Sequence, residues 1–273
     1  MVDRSFGDAF LAGLYDALNP WGPGDDFFLD LVMSADAVLD VGCGTGRLLG
    51  RARRAGHEGR LTGIDPAAAM LVQGRRANRE VEWVLGDLRC TAWREEFDLV
   101  VMTGHAFQEL VGDEELRLAL AAVRESLRPE GRFVFDTRNP AARAWETWTP
   151  ERIREVPGPD GDLVRVWHEA LTPVRGERVS FTETFDAPRW DGPRTSHSTI
   201  RFLDVSTLDR LLDEAGLVTR ERYGDFDRGP LTATSPEIVS VTARADQGLS
   251  DNSRRRPEAG RTASGACARC AGP

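Results

Sequence analysis

The run Val38-Leu39-Asp40-Val41-Gly42-Cys43-Gly44-Thr45-Gly46-Arg47-Leu48-Leu49 decides the fold. Ala37 to Val41 are apolar except for one acid, Asp40, the composition of a strand buried in a parallel sheet. Glycines at 42, 44 and 46 predict a tight turn that opens a helix, with backbone N–H groups a ligand can approach without meeting a Cβ. Strand, glycine turn and helix in that order make a nucleotide cradle at the kind of strand end where open α/β sheets bind ligands. A dinucleotide fingerprint, G-x-G-x-x-G, would place glycine at 47. This chain has Arg47 there and Gly46 one place earlier, so the motif is G-x-G-x-G.

About twenty residues after the turn, Gly63-Ile64-Asp65-Pro66 closes the next apolar run. An acid at that spacing is placed to accept hydrogen bonds from a ribose, its two oxygens matching two hydroxyls. Apolar strands and helical periods then alternate, as a parallel sheet requires. Strands are expected at Ala37 to Val41, Arg60 to Asp65, Val81 to Leu85, Phe97 to Thr103 and Gly131 to Thr137. Helices are expected at Thr45 to Ala55, Ala67 to Asn78 and Asp113 to Leu127, the last stopped by Arg128-Pro129-Glu130-Gly131.

Upstream, Phe6, Phe10, Leu11, Leu14, Tyr15 and Leu18 fall at helical spacing, predicting one helix over Ser5 to Leu18. Asn19-Pro20-Trp21-Gly22-Pro23-Gly24 breaks it, and Asp25 is expected to cap a second helix through about Val32. Downstream, residues 139–204 change character. Leu163 to Leu171, Arg178 to Ala187 and Thr195 to Leu203 alternate apolar and polar residues between Pro- and Gly-rich turns, and so read as an inserted antiparallel sheet. Ser206, with Asp209 as capping-box partner, is expected to open a helix ended by Gly216, and Leu217 to Tyr223 and Glu237 to Arg244 are the last two strands. The organisation is therefore an α/β core with a helical cover (1–138 and 205–244), an antiparallel β lid (139–204) and a disordered tail (245–273).

Composition narrows the functions. The net charge is −9, which argues against the nucleic-acid backbone as the main partner. All 35 basic residues are arginine, which removes Schiff-base, pyridoxal-phosphate and P-loop lysine chemistry. No apolar run reaches about 18 residues and no signal-peptide layout opens the chain, so a cytoplasmic, membrane-free protein is expected. Cys43 and Cys90 are single and Cys267/Cys270 form one C-x-x-C without a second half-site, which reads as an incidental pair in a reducing compartment, with a redox or metal role as the alternative, so no metal centre is expected.

The G-x-G-x-G turn behind Asp40, together with Gly63-Ile64-Asp65-Pro66, resembles the first two motifs of the class I S-adenosylmethionine-dependent methyltransferases. The resemblance runs in order over roughly residues 2–244 and is specific over 38–137. It implies a seven-stranded Rossmann-like sheet with the last strand antiparallel, helices on both faces, and S-adenosyl-L-methionine as cofactor. The cofactor residues it points to are Asp40, Gly42, Cys43, Gly44, Thr45, Gly46, Asp65 and Pro66. Gly86-Asp87-Leu88, after the third strand, match the segment that meets the adenine amino group, unless Asp87 is a turn aspartate. Met70 is a candidate for the adenine face or for the core. Asp40 carries a carboxylate on an apolar strand, which is costly unless partnered, and is placed either against the cofactor's positive groups or against the turn's N–H groups. Tyr15 and Trp21 are candidates to wall the methionine or substrate end, or are plain contacts of a helical cover.

In the same resemblance Met102 to Glu109 lies beside the methyl group, so Gly104, His105 and Phe107 are candidates to touch cofactor or substrate. His105 is the one histidine of four at a predicted strand end facing the cleft, and is either the candidate general base or a wall residue of the cleft. Arg138 and Asn139 open the insertion; Arg138 could fork a carboxylate or form a salt bridge at the neck. The expected reaction is in-line transfer of a methyl group to an O or N atom of a small molecule, by a monomer or homodimer. The alternatives are an NAD-dependent oxidoreductase and a non-catalytic S-adenosylmethionine-binding protein.

Overall fold

Two apolar layers sandwich one sheet, and the layers follow from strand alternation. The computed structural model describes residues 2–158 and 160–245. Seven strands, β1 (Ala37–Val41), β2 (Arg60–Asp65), β3 (Glu82–Leu85), β4 (Phe97–Met102), β5 (Leu127–Arg138), β10 (Leu217–Tyr223) and β11 (Glu237–Arg244), lie in the order β10-β11-β5-β4-β1-β2-β3. β1 pairs parallel with β2 and β4, β2 with β3 and β4 with β5, whereas β11 runs antiparallel to both its neighbours, β5 and β10. The expected class I sheet with its reversed last strand is thus observed.

On one face Leu39, Val41, Ile64, Val100, Phe133 and Phe135 pack against α7 (Asp113–Ser126) and α8 (Val205–Glu214) through Leu116, Leu120, Val123, Leu208 and Leu211. On the other, Val38, Leu61, Leu99, Val101, Val134 and Val239 meet α4 (Pro23–Met33) and α5 (Arg47–Arg54) through Phe28, Leu31, Val32, Leu49 and Ala52. Each fully buried large aliphatic or aromatic side chain contributes about 1.5–3 kcal/mol, so this double layer fixes the strand ends that carry the cleft. α6 (Ala68–Ala77) follows β2.

Between β5 and α8 lies a separate antiparallel sheet, β6 (Arg154–Pro157), β7 (Leu163–Ala170), β8 (Arg178–Asp186) and β9 (Arg194–Arg201), in sequential order. Its Val156, Val164, Val166 and Phe185 form one cluster with Leu11, Leu14 and Leu18 of the N-terminal segment. The cover therefore packs on the inserted sheet as well as on the core.

Several local expectations are corrected. The first helix is three single turns, α1 (Arg4–Gly7), α2 (Ala9–Ala12) and α3 (Tyr15–Leu18), because Asp8 is extended and accepts the Phe10 and Leu11 N–H groups as a cap. α4 begins at Pro23, so Asp25 sits inside the first turn and accepts the Gly22 N–H. Residues 128–131 do not end a helix in a turn; they belong to β5, which starts straight after α7 and absorbs a register shift there. β6 is a fourth inserted strand that the alternation did not mark, being four residues long and edge-placed. Asp204, not Ser206, caps α8, and Asp209 pairs with Arg222 instead. The expected tail and its C-x-x-C lie outside the described residues, apart from Ala245.

Candidate functional site

The glycine turn is held by Asp65. One Asp65 oxygen accepts the Gly44 N–H at 2.8 Å and the other the Ala67 N–H at 2.7 Å, tying the loop after β1 to the loop after β2. Each oxygen keeps a second lone pair for a further donor. Gly46 has φ +70°, and a Cβ there would come within 2.0 Å of the Trp83 ring. That position admits glycine alone, for backbone and packing reasons together. Gly44 and Gly104 both approach Tyr15: a Cβ at Gly44 would lie 4.0 Å from a Tyr15 ring carbon and 3.3 Å from Met70 Cε, and one at Gly104 would lie 3.9 Å from the Tyr15 hydroxyl. Tyr15 thus roofs the gap between the two turns, and Met70, buried, lies against its Gly44 side. Burial holds the Tyr15 phenol up at about 12.

Asp40 lies 1% exposed on β1, and its Oδ1 has no hydrogen-bond partner. Burial first, and the neighbouring charge of Asp65 second, push its carboxyl up to about 7. An unpartnered acceptor in that position costs free energy until a donor or a cation arrives. Thr45 Oγ1 donates to Asp16 at 2.7 Å, and Arg47 binds Asp25 at 3.0 Å and the Asn19 carbonyl. Trp21 donates its indole N–H to Asp26 and stacks beneath Arg47 and Arg51, with guanidinium carbons 5.5 and 5.4 Å from its ring. These contacts latch the N-terminal cover to the turn, and Trp21 is part of that latch.

At the other end of the cleft the loop after β4 is strained: His105 has φ +66° and is anchored by its own N–H to Asp136 Oδ2 at 2.9 Å. Its Nε2 lies 3.0 and 3.1 Å from the two Glu237 oxygens and 3.5 Å from Asp136 Oδ2. Facing two carboxylates, Nε2 carries the ring proton and Nδ1 keeps its lone pair. Burial, then the Arg138 charge, hold the imidazolium down at about 4, so the ring is neutral at pH 7. Burial raises Glu237 to about 7, with Asp225 adding to the rise, and raises Asp136 to about 6. Arg138 is the cross-strand neighbour of Glu237, donates to Gln108 Oε1 at 3.0 Å and lies 5.5 Å from the Trp148 ring. Trp148 in turn stands 6.5 Å from His168 of β7, which pairs with Glu183 of β8 at 3.3 Å. Among the described residues, His105, Asp136 and Glu237 are the one group whose ligand atoms, all within 4.8 Å, could surround a metal ion.

The other sequence candidates are placed as follows. Gly42 and Cys43 form the turn, and both donate their N–H to the Ile64 carbonyl. Pro66 follows Asp65, and Gly86 donates its N–H to the Asp65 carbonyl. Asp87 forms a part-exposed ion pair with Arg89 at 2.6 Å and accepts the Arg89 N–H, and Leu88 is in the core. Phe107 is likewise core, stacked on Phe135 at 4.3 Å, so it offers no face to the cleft. Asn139 clamps the loop before β11, donating to the Thr232 and Ser235 carbonyls, and its side chain is spent there. The sequence reading missed Asp136, Glu237 and Asp16. Asp136 carried a usable signal, a single acid on the apolar run Phe133-Val134-Phe135, the same signal that singled out Asp40; Glu237 opens an ordinary strand and carried none.

Residues 38–131 match a family model described as a methyltransferase domain. A 2-phytyl-1,4-naphtoquinone methyltransferase from Thermosynechococcus vestitus is 32% identical over 152 residues, 50% of this chain and 65% of that one. The chain spans 42% to 65% of the length of the first curated relatives it matches. Two solved structures share the fold: the CcbJ methyltransferase from Streptomyces caelestis, with TM-score 0.68, 24% identity and coverage of 88% and 98% of the two chains, and CalS10, an amino pentose methyltransferase from Micromonospora echinaspora solved with S-adenosylmethionine bound, with 0.62, 23%, 85% and 97%.

Proposed function

We propose that this chain, which belongs to the class I S-adenosylmethionine-dependent methyltransferases, moves a methyl group to an O or N atom of a small molecule. The observation that carries the reading is the pair Asp40 and Asp65 under the G-x-G-x-G turn: one carboxylate tied into both loops with lone pairs to spare, the other buried with an oxygen that lacks any donor. The cradle fits the cofactor on those grounds. Asp65 would take the ribose hydroxyls, the side-chain-free backbone of Gly44 and Gly104 beside Tyr15 would lie along the methionine part, and Asp40 would answer its positive charge. When bound, the cofactor supplies an electrophilic sulfonium methyl, which an acceptor lone pair takes while the broken bond's electrons stay on sulfur.

This chain's own residues position and deprotonate. The closed roof of Tyr15 and the N-terminal latch exclude water from the cradle. His105 Nδ1 is the free base, and Glu237 stands behind Nε2 to receive the proton that leaves it, so the couple works near neutrality although the imidazole by itself is a weak base. Residues 139–204 act as the acceptor-side lid. Monomer or homodimer, a small-molecule partner and a cytoplasmic location complete the reading; among the described residues no helix is long and apolar enough to cross a membrane.

The test is calorimetric titration with S-adenosylmethionine and, separately, NAD, on the wild type and on Asp65→Ala. Saturable binding of the methyl donor alone is expected, weakened about 100-fold by the substitution, as loss of charge-assisted hydrogen bonds implies. Absence of donor binding, or a preference for NAD, overturns the reading.

A further inference from the structure

The neck between β5 and the lid carries two tryptophans whose rings are incompletely covered. Pro140–Ala142 and Ala144–Thr147 are single 3₁₀ turns joined by Arg143, which is left-handed at φ +48°. The Trp148 carbonyl accepts the Ala170 N–H at 3.1 Å and fastens this neck to β7. Trp145 meets Phe202 edge-on at 4.6 Å, Trp148 lies 4.9 Å from Phe181, and both pack on the buried cluster of Val179, Ile200 and Phe202. Packing uses part of each indole, and both residues stay half-buried.

Between the neck and the turn after β7 is a cavity of about 650 Å³, a size that suits a small-molecule site. The neck contributes Trp145 and Trp148 to its wall, and the lid contributes Ala170 and Val174. The two charged residues of the wall, Arg143 and Glu146, pair with each other at 2.7 Å, so the wall carries no net charge. Its hydroxyls are those of Thr149 and Thr172. These residues are distinct from the cofactor cradle and from His105, Asp136 and Glu237. The pocket adjoins the acceptor end through Trp148, whose ring lies 5.5 Å from Arg138, the cross-strand neighbour of Glu237.

We propose that this pocket binds a planar, uncharged ring system against Trp145 and Trp148. Indole rings gain from offset or edge-on contact with a second ring beyond the area that the contact buries. A charged ligand would give up hydration and find the Arg143 and Glu146 charges already engaged with each other. A polyol would bring more hydroxyls than two threonine side chains can serve. The site goes beyond the methyltransferase reading and does not depend on which atom is methylated.

The experiment is calorimetry on the full chain with 2-naphthylmethanol and its decahydro counterpart, which has the same carbon skeleton and hydroxyl but is not flat. Each is titrated with and without saturating S-adenosylhomocysteine, which occupies the cradle. The flat alcohol is expected to bind at least fivefold more tightly than the saturated one, and equally well with the nucleoside present. Trp148→Leu is expected to erase that preference, and Val174→Trp, which fills the cavity, to abolish binding, both with the nucleoside affinity kept within twofold. Trp190→Leu, whose ring packs on Phe10 at 5.3 Å, should leave the naphthyl affinity unchanged. Equal affinity for the two alcohols, binding of neither up to millimolar concentration, or binding that survives Val174→Trp overturns the assignment. Displacement of the naphthyl alcohol by the nucleoside overturns it as well, because the probe was then seated in the cradle. The wild-type comparison and Val174→Trp decide the matter even where Trp148→Leu fails to fold. A nucleoside that does not bind sinks the methyltransferase reading instead, and the two alcohols still decide the pocket.

Discussion

The two ends of the cleft are built on opposite plans. At the cofactor end, Asp40 and Asp65 lie 25 positions apart, on neighbouring parallel strands, and the contacts that order them run between consecutive loops. At the acceptor end, His105 and Glu237 lie 132 positions apart and meet because β11 runs antiparallel beside β5. The first end is a local device that one strand, one turn and one helix set up. The second depends on closure of the whole sheet, and its chemistry can change through a distant strand without touching the nucleotide cradle. That division explains how one cofactor site serves many acceptors on this fold.

The sharpest way to break the comparison is to damage the local end without touching the distant one. Gly46→Ala forces a non-glycine residue to φ +70° and drives a methyl group into Trp83. Left-handed backbone and overpacking together cost about 3 kcal/mol. Denaturant unfolding should show a loss of that size, partly restored by adding Trp83→Leu. An unchanged midpoint would mean that the turn is soft and that the cradle is not set by local sterics.

Asp40 tests the cofactor end through pH. Its folded carboxyl is raised to about 7, so the stability it contributes is present below about pH 4 and is lost as pH rises through 7, because the unfolded chain gives up the proton first. Asp40→Asn removes that penalty. Without cofactor, the variant should therefore gain up to about 4 kcal/mol over wild type at pH 8 and little or nothing at pH 4, read as the difference between two melting curves at each pH. With S-adenosylmethionine the order should reverse, since the amide brings no charge to the cofactor's cation. A variant equally stable at both pH values would show that Asp40 is solvated or paired.

The same contrast governs what the sequence reveals. The buried strands, the glycine turn and Asp65 were legible because their signals, apolar runs and fixed spacing, are short-range. Arg47 was visible as a departure from a dinucleotide motif, but its partners are Asn19, in the break between α3 and α4, and Asp25, in the first turn of α4, and no period points from either to Arg47. Phe107 and Asn139 looked like cleft residues from their place after strands; the 3₁₀ turn at Ala106–Glu109 rotates Phe107 onto Phe135, and the loop before β11 captures Asn139. Glu237 illustrates the limit. A glutamate opening an edge-ward strand is ordinary until the sheet brings it to an imidazole.

Arg47 gives the smallest effect and separates the two ends most cleanly. Its guanidinium joins α5 to the N-terminal cover through Asp25, the Asn19 carbonyl and the Trp21 ring, all at the cofactor end. The ion pair is about one-quarter exposed on each side, so screening limits its share, and the cluster is worth about 1 kcal/mol. Arg47→Ala should loosen the roof over the cradle, raising the dissociation rate of S-adenosylhomocysteine about fivefold in stopped-flow measurements, with a weaker effect of high salt on the variant than on wild type. The KM for the methyl acceptor should stay within twofold, because none of the Arg47 contacts reaches His105, Asp136 or Glu237. A KM that moved with the dissociation rate would mean that the cover transmits its latch to the lid, through Leu11, Leu14 and Leu18 against β6, β7 and β8, and that the two ends are one mechanical unit rather than two.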